Sequence, residues 1–155
     1  MKITAEPADA SYDALLQLLR TADTIWNSSR SFFAPWDLSP SQFNVLNLLH
    51  TYRTGLSQSE LSRQLIMHRS NVTGLVDRLE KRGLLERKDV AGDRRAYRVV
   101  LTRAGATLLK DLIPRYYEAA QQVCGDLPSR RISEFIADLQ RVAQNAERIA
   151  RKPPR

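Results

Sequence analysis

Between Ser57 and Leu101 a helical spacing of apolar residues gives way to a strand-like one within a few positions, and few architectures accommodate both. Ser57-Gln58-Ser59-Glu60 has the form of a capping box, in which a hydroxyl and a side chain three residues on satisfy each other's orphan amides. It predicts a short helix with Leu61 and Leu65 facing inward. After a tight turn around Ile66-Met67-His68, the residues Val72, Leu75, Val76 and Leu79 recur at i, i+3, i+4 and i+7. That is the buried stripe of a second helix, running to about Arg82 and closed by Gly83. Two short helices joined by a tight turn form a helix-turn-helix. Leu84 to Lys88 and Tyr97 to Leu101 then read as strands, around a long charged tip from Asp89 to Ala96 that contains Gly92. A hairpin directly after a helix-turn-helix is a winged helix. The expected fold is therefore mainly α with a small β-hairpin wing.

The flanks are helical. Ser39-Pro40-Ser41-Gln42 is a second helix start, with Phe43, Val45, Leu46, Leu48 and Leu49 behind it and Gly55 as the expected C′ stop. Ahead of it, Leu15, Leu19, Ala22, Trp26, Ser29 and Phe33 mark a long helix from about Ala8, broken at Ala34-Pro35-Trp36-Asp37. Thr102 is a good N-cap for a helix carrying Leu108, Leu109, Leu112, Ile113, Tyr116, Tyr117, Ala120 and Val123. Pro114 is expected to kink that helix rather than end it, because the apolar spacing continues in phase on both sides. Gly125-Asp126-Leu127-Pro128 separates it from a last helix with Ile132, Phe135, Ile136, Leu139, Val142, Ala146 and Ile149. The expected organisation is one domain: a lobe at 38–102 between dimerisation helices at 8–34 and 103–150. The terminal stripes are too long and too apolar for so small a domain to bury alone. A homodimer is the economical solution, with packing of the first helix on the last within one chain as the alternative.

Charge adds a partner. Of a net +7, the stretch from Arg53 to Arg103 holds +6, with twelve basic and six acidic residues, and 19 of the chain's 24 cations are Arg. The planar guanidinium suits phosphates and base edges, so a basic winged helix points to duplex DNA, the helix in the major groove and the hairpin tip in the minor groove. With the stripe facing inward, Ser70, Gly74, Asp77 and Lys81 lie opposite it and Asn71, Thr73 and Arg78 on its flanks. Arg69, Ser70, Asn71 and Thr73 are the candidates for base edges and nearby phosphates. Gly74 costs about 1 kcal/mol in mid-helix relative to Ala; close approach of backbone to DNA would explain it, as would a position that reads no base. Asp77 is expected to pair with Lys81 or a nearby Arg.

Other classes are poorly served. One Cys and two His cannot build a disulfide framework or a zinc cluster, and no cofactor is expected. No phosphate loop, His-Glu-x-x-His or Gly-x-Ser-x-Gly occurs, so no enzyme is expected. No apolar run approaches the roughly 20 residues that cross a bilayer, and Met1 to Pro7 lacks the apolar core of a signal peptide. A cytoplasmic protein without membrane contact is expected.

Several runs together resemble the MarR family of bacterial transcriptional regulators. They are Asp37-Leu38-Ser39-Pro40-Ser41-Gln42-Phe43, Leu56-Ser57-Gln58-Ser59-Glu60-Leu61, Val72 through Arg87, Gly92-Asp93-Arg94-Arg95 and Leu101-Thr102-Arg103-Ala104-Gly105. The resemblance implies a homodimer with interdigitated terminal helices, its two recognition helices on a pseudo-palindromic operator. It implies that Arg95 enters the minor groove, that Asp93 holds that Arg, that Arg94 lies near the backbone, and that Arg69 to Gly74 read the major groove. Two positions depart from the family's habit: Ile66 stands where the turn often holds Gly, and Gly74 where a basic residue often contacts a base.

The resemblance also implies a repressor released by a small effector, bound in a cleft between the dimer helices and the DNA-binding lobe. Trp26, Arg30, Phe33, Trp36, Phe43, Asn47, His50, Tyr116 and Tyr117 could line it, and an Arg among aromatics suits an anionic aromatic ligand; the plainer alternative is that these aromatics are core. Cys124 is read as a small hydrophobe rather than an oxidant sensor. The rival functions are a winged-helix protein adaptor without DNA binding and a ligand-independent DNA-binding protein.

Overall fold

The computed structural model describes residues 10–65, 72–90 and 93–151, with the backbone alone at 93–96. In order these form α1 (Ala10–Phe33), a 3-10 turn (Ala34–Trp36), α2 (Pro40–Thr51), α3 (Gln58–Gln64), α4 (Val72–Lys81), β1 (Leu85–Val90), β2 (Asp93–Leu101), α5 (Arg103–Cys124) and α6 (Ser129–Arg151). The strands make a two-stranded antiparallel sheet, the wing. The fold is thus the mainly helical winged helix that the change of period predicts. The chain divides into two compact units, one ending at Lys110 and the other beginning at Asp111.

Both capping boxes form. The Ser39 amide donates to Gln42 Oε1 at 2.8 Å while Ser39 Oγ accepts from the Gln42 amide at 3.2 Å. At α3 the Ser57 amide donates to Glu60 Oε2 at 2.7 Å and its Oγ accepts from the Glu60 amide at 3.2 Å. Each cap contributes about 1 kcal/mol and aims its helix into the core. Leu61, Leu65, Val72, Leu75, Val76 and Leu79 are all buried as their spacing requires, together with Phe43, Val45, Leu46 and Leu49 of α2. Phe33 at the end of α1 stacks on Phe43, ring centroids 4.6 Å apart. Each such side chain stabilises the fold by about 1.5–3 kcal/mol. At the end of α4 the Gly83 amide bonds Glu80 O at 2.8 Å and the Leu84 amide bonds Leu79 O at 3.0 Å, which turns the chain sharply into β1.

Two local expectations need correction. Gly55 is not the C′ residue of α2, which ends four residues earlier, at Thr51. Its φ of +81° belongs to the turn leading into Leu56, and a Cβ there would lie 2.6 Å from the Val99 carbonyl oxygen. Leu56 exchanges both backbone hydrogen bonds with Val99, at 3.0 and 2.8 Å, as an isolated antiparallel bridge to the wing. The glycine thus answers a contact more than forty residues away. The hairpin tip is also shorter than expected. Pairing runs from Leu85 opposite Leu101 to Asp89 opposite Tyr97, then shifts and resumes with Val90 opposite Asp93. An irregular ladder overrides the loop preference of the charged residues at 89–96.

The Leu101 to Gly105 run has a physical role. Thr102 Oγ1 donates to Gly83 O at 2.6 Å and accepts from the Gly105 amide at 3.1 Å, so one hydroxyl caps α5 and ties it to the end of α4. A Cβ on Gly105 would collide with the Leu84 carbonyl. Further along, α5 continues through Pro114. Proline there removes the donor to the Lys110 carbonyl, and the boundary between the two units falls at that residue. In α6 no residue is buried: Phe135, Ile136, Val142 and Ile149 are all exposed. In α1, Leu15 and Leu19 are exposed too. Among the described residues, no helix is long and apolar enough to cross a membrane.

Candidate nucleic-acid interface

The buried stripe of α4 sets what its other side presents. Thr73 and Arg78 are exposed, Gly74 and Asp77 half-buried, and Lys81 exposed. Arg78 and Lys81 take no ion pair among the described residues. Of the remaining sequence candidates, Arg69, Ser70 and Asn71 lie outside the described residues. Asp93, Arg94 and Arg95 lie in β2 at the tip of the wing, as backbone only; their side chains lie outside the described ones.

Not every cation of the basic segment faces outward. Arg87 of β1 turns to α4, where its Nη2 meets Asp77 Oδ1 at 2.5 Å and its Nη1 pairs with Glu80. Its own amide donates to Glu80 Oε1 at 3.1 Å, and its guanidinium stands 5.3 Å from the Tyr97 ring centroid. Burial disfavours the charge, but the hydrogen bonds with Asp77 and Tyr97 and the charges of Glu80 and Asp77 outweigh it, so its pKa lies above the ordinary value. Asp77 therefore pairs with an Arg, the partner being in the wing. Arg98 holds the turn before α3, its Nη2 donating to Gly55 O at 2.5 Å with Glu60 Oε2 at 3.6 Å. Arg82 donates to Trp36 O at 3.1 Å and to Asp37 O, fastening the end of α4 to the segment between α1 and α2. These three cations hold the lobe together.

A second polar contact joins the wing to the outer face. The Tyr97 hydroxyl donates to Gln58 Oε1, and Gln58 Nε2 donates to Thr73 Oγ1. Reading along the chain misses Gln58 because it hides inside a capping box, and Tyr97 because it reads as a strand former. A signal for Arg87 was present. Alternation along β1 puts it on the face of buried Leu85, and a charge on that face needs a partner.

The nine candidate effector residues separate. Trp26 and Arg30 line a cleft of about 600 Å³ with Ala34, Asp37, Leu38, Ser39, Pro40, Ser41 and Gln42. Phe33 and Phe43 are core, and Trp36 packs against Phe32 at 5.6 Å. Asn47 and His50 are half-buried on α2, where the Asn47 carbonyl accepts from Thr51. Tyr116 and Tyr117 belong to the second unit and are exposed. The cleft is more polar than the expected set, because the α2 cap supplies one wall.

Comparison with known proteins gives consistent results. The MarR family model matches residues 36–96, which span α2 through the wing. The HTH-type transcriptional regulator PapX of Escherichia coli is 36% identical over 100 residues, covering 63% of this chain and 61% of PapX. The uncharacterised HTH-type transcriptional regulator YfiV of Bacillus subtilis is 30% identical over 115 residues, covering 72% of this chain and 71% of that protein. The crystal structure of CouR from Rhodococcus jostii RHA1, bound to p-coumaroyl-CoA, superposes with a TM-score of 0.76 at 26% identity, covering 88% of this chain and 96% of CouR.

Proposed function

The chain belongs to the MarR family of transcriptional regulators, and on that premise we propose that it is a cytoplasmic homodimer that recognises a pseudo-palindromic site in double-stranded DNA and regulates transcription. The observation that carries this reading is the outer face of α4: Thr73, Gly74 and Arg78 are turned outward by the four buried residues behind them. Arg87 fastens the wing beside that face, so helix and hairpin tip can address adjacent grooves together. In this reading Arg69 to Gly74 address the major groove, and Arg95, held by Asp93, enters the minor groove with Arg94 near the backbone. No catalytic step is part of it. The dimer is supported by the exposed apolar residues of α1 and α6, and the helices 8–34 and 103–150 flank the DNA-binding lobe 38–102 in this assignment.

The test is a fluorescence-anisotropy titration of duplex DNA against salt. Contact with six or more phosphates gives a log–log slope of about −5 or steeper, whereas a protein adaptor gives none. Arg95→Ala is expected to weaken binding to every sequence by about 1–3 kcal/mol; equal affinities of variant and parent refute the minor-groove role.

The cleft at Trp26 and Arg30 favours a second element, release of DNA by an anionic aromatic effector. A guanidinium beside an indole matches a carboxylate on a ring, and CouR binds p-coumaroyl-CoA in its crystal structure. On this reading the protein is a repressor. Titrating 4-hydroxybenzoate into the DNA complex should release it, and Arg30→Ala should abolish that response. Binding unaffected by such ligands favours a ligand-independent regulator.

A further inference from the structure

We propose that Tyr97 and Gln58 are positioning residues that hold the Thr73 hydroxyl as a hydrogen-bond donor toward a base edge in the major groove. The proposal rests on the DNA-binding reading above.

Three elements meet in this contact: β2 supplies Tyr97, α3 supplies Gln58 and α4 supplies Thr73. An amide has a fixed polarity, one end accepting and the other donating. Tyr97 donates to Oε1, so the oxygen of Gln58 is held toward the wing and its amino group toward α4. Thr73 Oγ1 then accepts a hydrogen bond from Nε2, and its single O–H is left for another acceptor. Thr73 lies exposed on the outer face of α4 and no acceptor for that O–H stands among the described residues, which leaves it for an acceptor outside the chain.

The base edges of the major groove differ in what they offer. Purine N7, guanine O6 and thymine O4 accept, while the amino groups of adenine and cytosine donate. A free threonine hydroxyl rotates to serve either role; one whose lone pair is already engaged favours acceptors. The head of the relay is held in turn, because the Tyr97 ring lies beside the Arg87 guanidinium that joins β1 to Asp77 and Glu80. The wing therefore acts on the major groove through α4, besides addressing the minor groove through its own tip.

The test is selection of bound sites from a randomised duplex library, using the full chain and its variants, with thermal unfolding measured in parallel. Thr73→Val and Tyr97→Phe should alter preference at the same position of each half-site, by about two- to tenfold. Phe keeps the ring beside Arg87, so the melting temperature of Tyr97→Phe should stay close to that of the parent. The double variant should be no worse than Thr73→Val alone, because both act through one contact. Gln58→Glu offers acceptors to both neighbours, so Thr73 donates inward and the position should come to admit an amino group. An unchanged preference in Tyr97→Phe, or an effect fully additive with Thr73→Val, overturns the relay while leaving DNA binding in place. A parent chain that selects no sequence overturns both.

Discussion

The DNA-binding lobe and α6 carry comparable apolar stripes but complete them differently. In the lobe, every member of the α4 stripe is buried, and all the described ion pairs but Lys88 with Glu86 join different elements or segments: Arg82 to Asp37, Arg98 to Glu60, Arg87 to Asp77 and Glu80. In α6 no residue is buried, and its ion pairs stay on its own surface: Arg130 with Glu134, Arg141 with Asp138, Arg151 with Glu147. Such helix-surface pairs contribute about 0.3–0.5 kcal/mol each. They support a helix but bring it no core. The lobe is complete as a folded object within one chain, whereas α6 has an apolar face that a second copy would cover.

The sharpest way to break this contrast is to place charge on the face of α6. Phe135→Asp combined with Ile136→Asp should weaken self-association by about a hundredfold or more while the lobe still unfolds cooperatively. Sedimentation velocity at micromolar concentration checks it, and an unchanged dimer would remove α6 from the interface. The complementary change is inside the lobe. Leu79→Ala removes a fully buried side chain of α4 and should cost about 2–5 kcal/mol in urea denaturation; a loss below about 1 kcal/mol would mean that α4 is not anchored by its stripe.

A smaller effect sharpens the picture at α3. The Glu60 carboxyl is held below its ordinary value of 4.5, first by the Ser57 amide, then by the Ser57 hydroxyl, with Arg98 and Arg63 adding to the effect against some cost of burial. A depressed folded-state pKa means the ionised cap stabilises the fold above the ordinary value, and that this stability is lost as pH falls through the lower folded one. Glu60→Gln keeps an acceptor at the cap, so it should flatten that acid-side loss in a series of thermal melts. A variant that loses stability with acid as steeply as the parent would assign the sensitivity to other carboxyls.

Much of this was legible in the sequence because it is local. Capping boxes, the spacing of Val72, Leu75, Val76 and Leu79, and the stop at Gly83 each depend on residues within one or two turns, and each appears in place. What was missed depends on distance. Gly55 reads as a helix stop until Val99 is seen against it. Arg87, Arg82 and Arg98 count toward a DNA-facing charge until their carboxylate and carbonyl partners are known. The wing tip reads as a loop because charged residues favour loops, while a ladder anchored at Leu85 and Leu101 carries them into strands. The aromatics assigned to an effector cleft are a mixture for the same reason: helical spacing puts Phe33 on one stripe with Trp26 but does not show which of them opens onto a cavity.

The central claim is that two copies of this chain grip one duplex. Light scattering of the purified protein mixed with a selected duplex, at low and then raised salt, measures it directly. The account predicts a complex of two chains per site that dissociates steeply as salt rises. A single chain per duplex, or no complex even in dilute buffer, would contradict it.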